Sequence, residues 1–290
     1  MRGNRICQAF LAFVLLVCVG LWLNFGTFGV APRYDLSKTV RYGFLVENNT
    51  SSNIEGASFR VFAPVKKNSY QENTELTANY PFKIELDELG NQVLVFDVGD
   101  IAPLSRKVIN ITATLKLAGY AQVFKESDND KYLISERNIQ VDSPVIRMIS
   151  REINPKSGEE ARIANWISEN ITDVGYVAED RGAHYALVNR KGDCTEFSSA
   201  FVALARASDI PSRMIGGFVI DRSGRLQANN YHNWSEFMRD NAWHIADPQN
   251  NIFDSGYGSY IAFYNFNERS RMNNSHRFLT YDSRLSVQML

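Results

Sequence analysis

The sequence predicts an α+β domain preceded by an all-β sandwich, with a transmembrane helix at the N-terminus. Three observations carry that prediction. An almost uninterrupted apolar run opens the chain from Ile6 to Leu23. From Tyr34 to about Asp142, short runs rich in Val, Ile, Phe and Tyr are separated by turn clusters. Past Asp142-Ser143-Pro144 helical periodicity appears and then yields to strands. The expected boundaries are 1–30 for a membrane anchor, 34–142 for the sandwich and 150–290 for the second domain.

Composition narrows the function classes. A length of 290 residues suggests roughly two domains. Hydrophobic residues are 44% and charged residues 22% of the chain, ordinary globular values. Glycine (18) and proline (8) are too few for a collagen-like or low-complexity chain. With 31 basic against 32 acidic side chains there is no basic stripe for nucleic acid. Three cysteines, Cys7, Cys18 and Cys194, cannot make a disulfide scaffold.

The anchor comes first in chain order. The run from Ile6 to Leu23 would make about 27 Å of helix, close to the hydrocarbon thickness of a bilayer. Arg2 and Arg5 precede it and no charge follows until Arg33, which directs the rest of the chain out of the cytoplasm. A cleaved signal peptide is the rival, but Pro32 follows the small-residue site Gly29-Val30-Ala31. An uncleaved single-pass anchor is therefore expected, with membrane contact through the N-terminal helix. Asn-x-Ser/Thr acceptors at Asn48, Asn49, Asn110, Asn170, Asn233 and Asn273 include one beside a functional histidine, which points to a bacterial envelope protein rather than a eukaryotic secreted one.

Strands are expected at Thr39 to Glu47, Ala57 to Ala63, Phe82 to Leu86, Gln92 to Val98 and Arg106 to Leu117. In the last, Ile109, Ile111, Ala113 and Leu115 alternate with Val108, Asn110, Thr112 and Thr114, the period-2 pattern of a half-buried strand. This region holds no catalytic cluster and reads as a spacer or a docking module. In the second domain, Ser157 and Glu160 fit a capping box for a helix from Gly158 to Asn170. Further helices are expected at Arg181 to Asn189 and Cys194 to Ala207, then strands at Arg213 to Asp221, Tyr231 to Met238 and Ala242 to Ala246.

The chemistry converges on Cys194, the one cysteine outside the apolar run. In Gly192-Asp193-Cys194 a loop becomes a helix, and a thiol at a helix N-terminus is favoured as thiolate. Asp193 is placed to cap the helix, and Gly192 leaves room for a substrate backbone. The backbone N–H of Cys194 can face a developing oxyanion; a second donor is not legible. Alternation sets His232, Trp234 and Glu236 on one face of their strand. After a hairpin at Arg239-Asp240-Asn241, Trp243, Ile245 and Asp247 share a face while His244 points the other way. Asp247 can thus orient His232 toward Cys194, the logic of thiol acyl transfer.

Gly192-Asp193-Cys194-Thr195-Glu196, Asp209-Ile210-Pro211-Ser212-Arg213, His232-Asn233-Trp234-Ser235-Glu236 and Trp243-His244-Ile245-Ala246-Asp247-Pro248 together resemble the transglutaminase-like superfamily in its bacterial form, over about Ile153 to Asn251. The resemblance implies a papain-like α+β core with Cys194, His232 and Asp247 as its triad. The region before it is more loosely similar to the β-sandwich that precedes this core in some bacterial members. Asn233 departs from the family's common Ala, and Gln249 from its common Thr or Ser.

Other conspicuous residues take plainer readings. Trp234 is expected to pack beside the triad, Arg213 to pair with a buried carboxylate, and Glu196 either to fix the nucleophile loop or to lie on the surface. His184 and His276 show no metal-ligand spacing, and no acidic loop of the EF-hand kind occurs, so neither metal nor cofactor is expected. The aromatic tail from Asn251 to Leu290 either walls the cleft or covers the core. The expected function is a membrane-anchored, extracytoplasmic cysteine acyltransferase or peptidase acting on amide bonds of proteins or peptides. The alternative is a catalytically silent binding or scaffolding module of a bacterial envelope complex.

Overall fold

In a computed structural model, residues 33–124, 129–154, 158–266, 272 and 277–290 are described. The expected N-terminal helix, and with it Cys7 and Cys18, lies outside them, as do Ser157 and His276. Among the described residues no helix is long and apolar enough to cross a membrane. Residues 34–290 form one compact unit.

Six strands open it: β1 (Leu36–Asn48), β2 (Ile54–Phe62), β3 (Gln71–Ala78), β4 (Phe82–Leu86), β5 (Gln92–Ile101) and β6 (Arg106–Leu117). β1 runs antiparallel to β6 from Leu36↔Leu117 to Glu47↔Arg106, and β3 adds to the far side of β6. β2, β5 and β4 make a second sheet. The alternation read in β6 is observed: Ile109, Ile111, Ala113 and Leu115 are all buried. They join Val40, Tyr42 and Phe44 of β1 and Phe59, Leu94 and Phe96 of the second sheet in one core.

β3 was not legible, because Gln71-Glu72-Asn73-Thr74-Glu75 shows no apolar alternation. Its inward side chains are amides that satisfy backbone instead. Gln71 donates to the carbonyl of Ala262 at 3.0 Å and accepts from its N–H at 2.9 Å. Hydrogen bonding here replaces apolar burial as the reason for being inside.

Four helices follow: α1 (Pro144–Ile153), α2 (Ala161–Asn170), α3 (Gly182–Asn189) and α4 (Cys194–Arg206). α1 is an addition to the sequence reading, although Pro at its start and Ile146, Ile149 and Ile153 on its buried face signal it. α2 begins three residues later than expected, with Glu160 at the N-cap and no side-chain cap bond. The Glu160 carboxylate instead accepts from the N–H of Gly158 at 2.9 Å. Two short strands, β7 (Thr172–Asp173) and β8 (Lys191–Gly192), pair in parallel just before α4.

β9 (Ser212–Val219), β10 (Gly224–Arg225), β11 (Tyr231–Arg239), β12 (Ala242–Asp247), β13 (Ile252–Phe253) and β14 (Tyr260–Asn265) come next. All but β10 form an antiparallel sheet in the order β13-β12-β11-β9-β14. α4 packs on it, Phe201 meeting Phe237.

The last strands return to the first sheets. β15 (Phe278–Leu279) pairs with β2 and β16 (Leu285–Met289) pairs with β1, so the tail assigned to the second domain completes both sheets of the first. Their pairing is set by partners more than 200 positions away in the chain, which local periodicity does not report. The two halves also share side chains. Phe218, Ile261 and Phe263 enter the core of the first sheets, and Tyr70 packs with Trp234 and Tyr257.

The strongest polar tie across the halves is a buried cluster. Arg213 on β9 pairs with Glu236 on β11 at 2.7 Å, and the Tyr70 hydroxyl donates to the same carboxylate at 2.5 Å. The guanidinium also lies over Trp243, 3.9 Å from the ring centroid. Removing the cation would strand a fully buried carboxylate. Arg213→Met is therefore expected to lower unfolding free energy by about 3–5 kcal/mol, measured by urea denaturation; an unchanged midpoint would contradict the assignment.

Candidate active site

The site starts at the first turn of α4. Asp193 is the N-cap in extended conformation, and its Oδ1 accepts from the N–H of Thr195 at 2.9 Å. Glu196 closes the reciprocal half, accepting from the N–H of Asp193 at 3.2 Å. Both carboxylates also hold the preceding loop. Asp193 Oδ2 accepts from Val177 N–H, while Glu196 takes the N–H of Arg181 at 2.9 Å and its guanidinium at 2.8 Å. Glu196 is thus wholly buried and bonded to both the loop and the helix start. Cys194 is the first helical residue, so its own N–H is one that the helix leaves unpaired, and its thiol is free and partly exposed.

Gly192 is packed against Glu196. A Cβ there would lie 2.2 Å from Cβ of Glu196. The glycine leaves room for the side chain of Glu196, whose carboxylate completes the cap.

The second half of the site is the β11–β12 hairpin. Asp240 and Asn241 both adopt positive φ, 52° and 59°, as a tight two-residue turn requires. The register Ser235↔Ala246 and Glu236↔Ile245 sets Asp247 on the face that carries His232 and Trp234. His232 Nε2 lies 2.7 Å from Asp247 Oδ2, and Cys194 is near enough to help raise the imidazole's pKa. Trp234 is fully buried and lies nearly parallel to the imidazole. His244 faces the other way, bonded to Asp254 at 2.7 Å and stacked on Phe237.

Asp247 is held by more than the histidine. The Tyr260 hydroxyl donates to Oδ2 at 2.7 Å and the Asn250 amide at 2.8 Å. Neither was singled out from sequence. Tyr260 belongs to the aromatic tail, whose enrichment was the signal; nothing in the chain marks Asn250. Burial raises the Asp247 carboxyl, but the bonds from His232, Asn250 and Tyr260 prevail and hold it below its usual range. Burial lowers the His232 imidazole, yet hydrogen bonds with Asp247 and Cys194 outweigh it and bring its pKa up to about 9.

On the opposite face of β11, the Asn233 amide donates to Thr195 Oγ1 at 2.9 Å and the Ser235 hydroxyl to the carbonyl of Ser198 at 3.1 Å. Asn233 is about 1% exposed, so its glycosylation motif is sealed in the folded chain. Cys194 and His232 open into a cavity of about 790 Å³, bordered also by Tyr176, Asp180, Gln249 and Phe278. His184 lies elsewhere, bonded to Ser143 at 2.9 Å, and Tyr185 is engaged by Arg181. Among the described residues no three His, Cys, Asp or Glu side chains gather as a metal site.

Two outcomes follow from this geometry. Gly192→Ala is expected to destabilise by about 1–3 kcal/mol through overpacking against Glu196, read by thermal or urea melting; full stability would show that the loop has slack. Because the folded pKa of His232 is raised, its ion pair contributes fully below about pH 6.5 and loses that contribution as pH climbs through about 9. The stability gap between wild type and His232→Gln should therefore shrink between pH 6.5 and pH 9.5, and a constant gap would refute the ion pair.

Comparison with known proteins agrees with this architecture. Residues 145–248 match the transglutaminase-like superfamily, a span that holds Cys194, His232 and Asp247. No curated protein matches the chain in sequence. Among solved structures it is similar to a candidate cysteine protease from Cytophaga hutchinsonii, with a TM-score of 0.58 at 15% identity, covering 88% of this chain and 92% of that one. A more distant likeness is the periplasmic domain of TgpA from Pseudomonas aeruginosa, with a TM-score of 0.39 at 12% identity, covering 75% and 92%. The chain thus carries a transglutaminase-like domain of mixed α and β structure at residues 145–248, preceded by a β-rich region.

Proposed function

We propose that this protein is a membrane-anchored, extracytoplasmic thiol enzyme that acts on amide bonds of proteins or peptides, with Cys194 as nucleophile. One observation carries the reading: His232 is bonded to a buried carboxylate, Asp247, and faces the same cavity as Cys194, near enough for the two to interact. An imidazole in that position takes the thiol proton, and the imidazolium it becomes is stabilised by the carboxylate. Sγ then attacks the amide carbonyl carbon. Negative charge grows on the carbonyl oxygen, where the N–H of Cys194 is placed to donate. As the C–N bond breaks, His232 returns the proton to the departing amine and leaves a thioester on Cys194.

His232 next takes a proton from the second acceptor, which attacks the thioester carbon and releases the thiolate. With water the result is hydrolysis, and with an amine it is crosslinking. A cavity of about 790 Å³ at the nucleophile supports access for water, so hydrolysis is the favoured direction. Anchoring and export rest on the apolar run from Ile6 to Leu23 and the flanking Arg2 and Arg5, and a bacterial envelope is the compartment that suits them.

The test is alkylation of the full-length protein by iodoacetamide at pH 6, followed on the Cys194 peptide by mass spectrometry. Cys194 is expected to react at least tenfold faster than free cysteine, and His232→Ala to abolish the advantage. Equal, slow labelling of both proteins would instead make the chain a catalytically silent binding module.

A further inference from the structure

We propose that Asn233 is a positioning residue, whose bond to Thr195 sets the approach of His232 to Cys194. The inference rests on the thiol-enzyme reading and adds the device that fixes its key distance. The nucleophile and the histidine sit on different elements, α4 and β11, and are 38 positions apart in the chain. Their relative placement therefore depends on what clamps the start of one to the start of the other. Asn233 directly follows His232 in β11, and Thr195 directly follows Cys194 in α4. Their side chains meet at 2.9 Å in a buried contact. Thr195 is itself fixed by its N–H on Asp193, so the clamp ends on the capped turn rather than on a loose side chain.

The rest of the Asn233 amide argues that this bond serves more than stability. Asn233 Oδ1 is buried and has no hydrogen-bond partner among the described residues. An orphaned carbonyl in the interior is more unfavourable than one neutral hydrogen bond is favourable, so for stability alone a small apolar side chain would serve as well. What remains is the Thr195 bond, which ties the residue beside the histidine to the residue beside the cysteine. Further along the same pair of elements, Ser235 bonds the carbonyl of Ser198 and keeps β11 in register with α4. Losing the Asn233 bond would free the near end while the far end stays docked, widening the gap between imidazole and sulfur.

The experiment compares iodoacetamide alkylation of Cys194 at pH 6 and pH 9.5 in full-length Asn233→Ala, Thr195→Val and Thr195→Ser. At pH 6 a free thiol is almost wholly protonated and needs a neighbouring cation to react, whereas at pH 9.5 a free thiol needs none. Asn233→Ala and Thr195→Val are expected to lose about tenfold at pH 6, the effect of one pKa unit, and to stay within about twofold of wild type at pH 9.5. Thr195→Ser keeps the hydroxyl and is expected to behave as wild type at both. Asn233→Ala should melt within about 3 °C of wild type. The proposal falls if Asn233→Ala keeps the wild-type ratio of the two rates, or if Thr195→Ser loses as much as Thr195→Val. A wild-type Cys194 no faster than free cysteine at pH 6 would instead bring down the thiol-enzyme reading itself.

Discussion

The site depends on one buried contact, that between His232 and Asp247. A carboxylate about 1% exposed is tolerable only when its charge is answered, and here an imidazole, a phenol and an amide all converge on it. Those three donors come from β11, from β14 and from the turn after β12. Satisfying one carboxylate therefore requires the hairpin, the following turn and the tail to be in place together. The imidazole is held by its Nε2, which leaves its other side for the sulfur, and orientation at the thiol follows from charge neutralisation a few ångströms behind it.

The capping box of α4 works in the same way. Asp193 and Glu196 are needed to satisfy the first amides of the helix, yet each carboxylate has a second oxygen or lone pair, and these are spent on Val177 and Arg181. The helix start that positions Cys194 is thus also the fastening of the loop that borders the cavity. Local capping and the shape of the site are one set of hydrogen bonds, which is why Gly192 has to yield its side-chain space to Glu196.

Much of this was legible in the sequence, for identifiable reasons. The face of His232, Trp234 and Glu236 and the hairpin return to Asp247 follow from a period of two and a turn of two residues, both local rules. Asp193 as cap follows from its place before a helix. What was not legible depended on distant partners or on polar burial. β3 hides its inward face in amides, β16 takes its meaning from β1, and Asn250 and Tyr260 matter only because folding brings them to Asp247. Gly192 was read as a place of close approach, but that Glu196 fills the space beside it depends on the folded turn and was not legible.

The pairing of β16 with β1 also protects a sheet edge. Residues Phe44 to Asn48 of β1 find their partners in Leu285–Met289, and the N–H of Leu290 bonds the carbonyl of Gly43. Without that segment, β1 would keep β6 on one side and show an unpaired ladder along part of the other, a template for stray strands. Proteolytic loss of Leu285–Leu290 would therefore uncover a strand more than 200 positions earlier and turn a trimmed chain into a self-associating one.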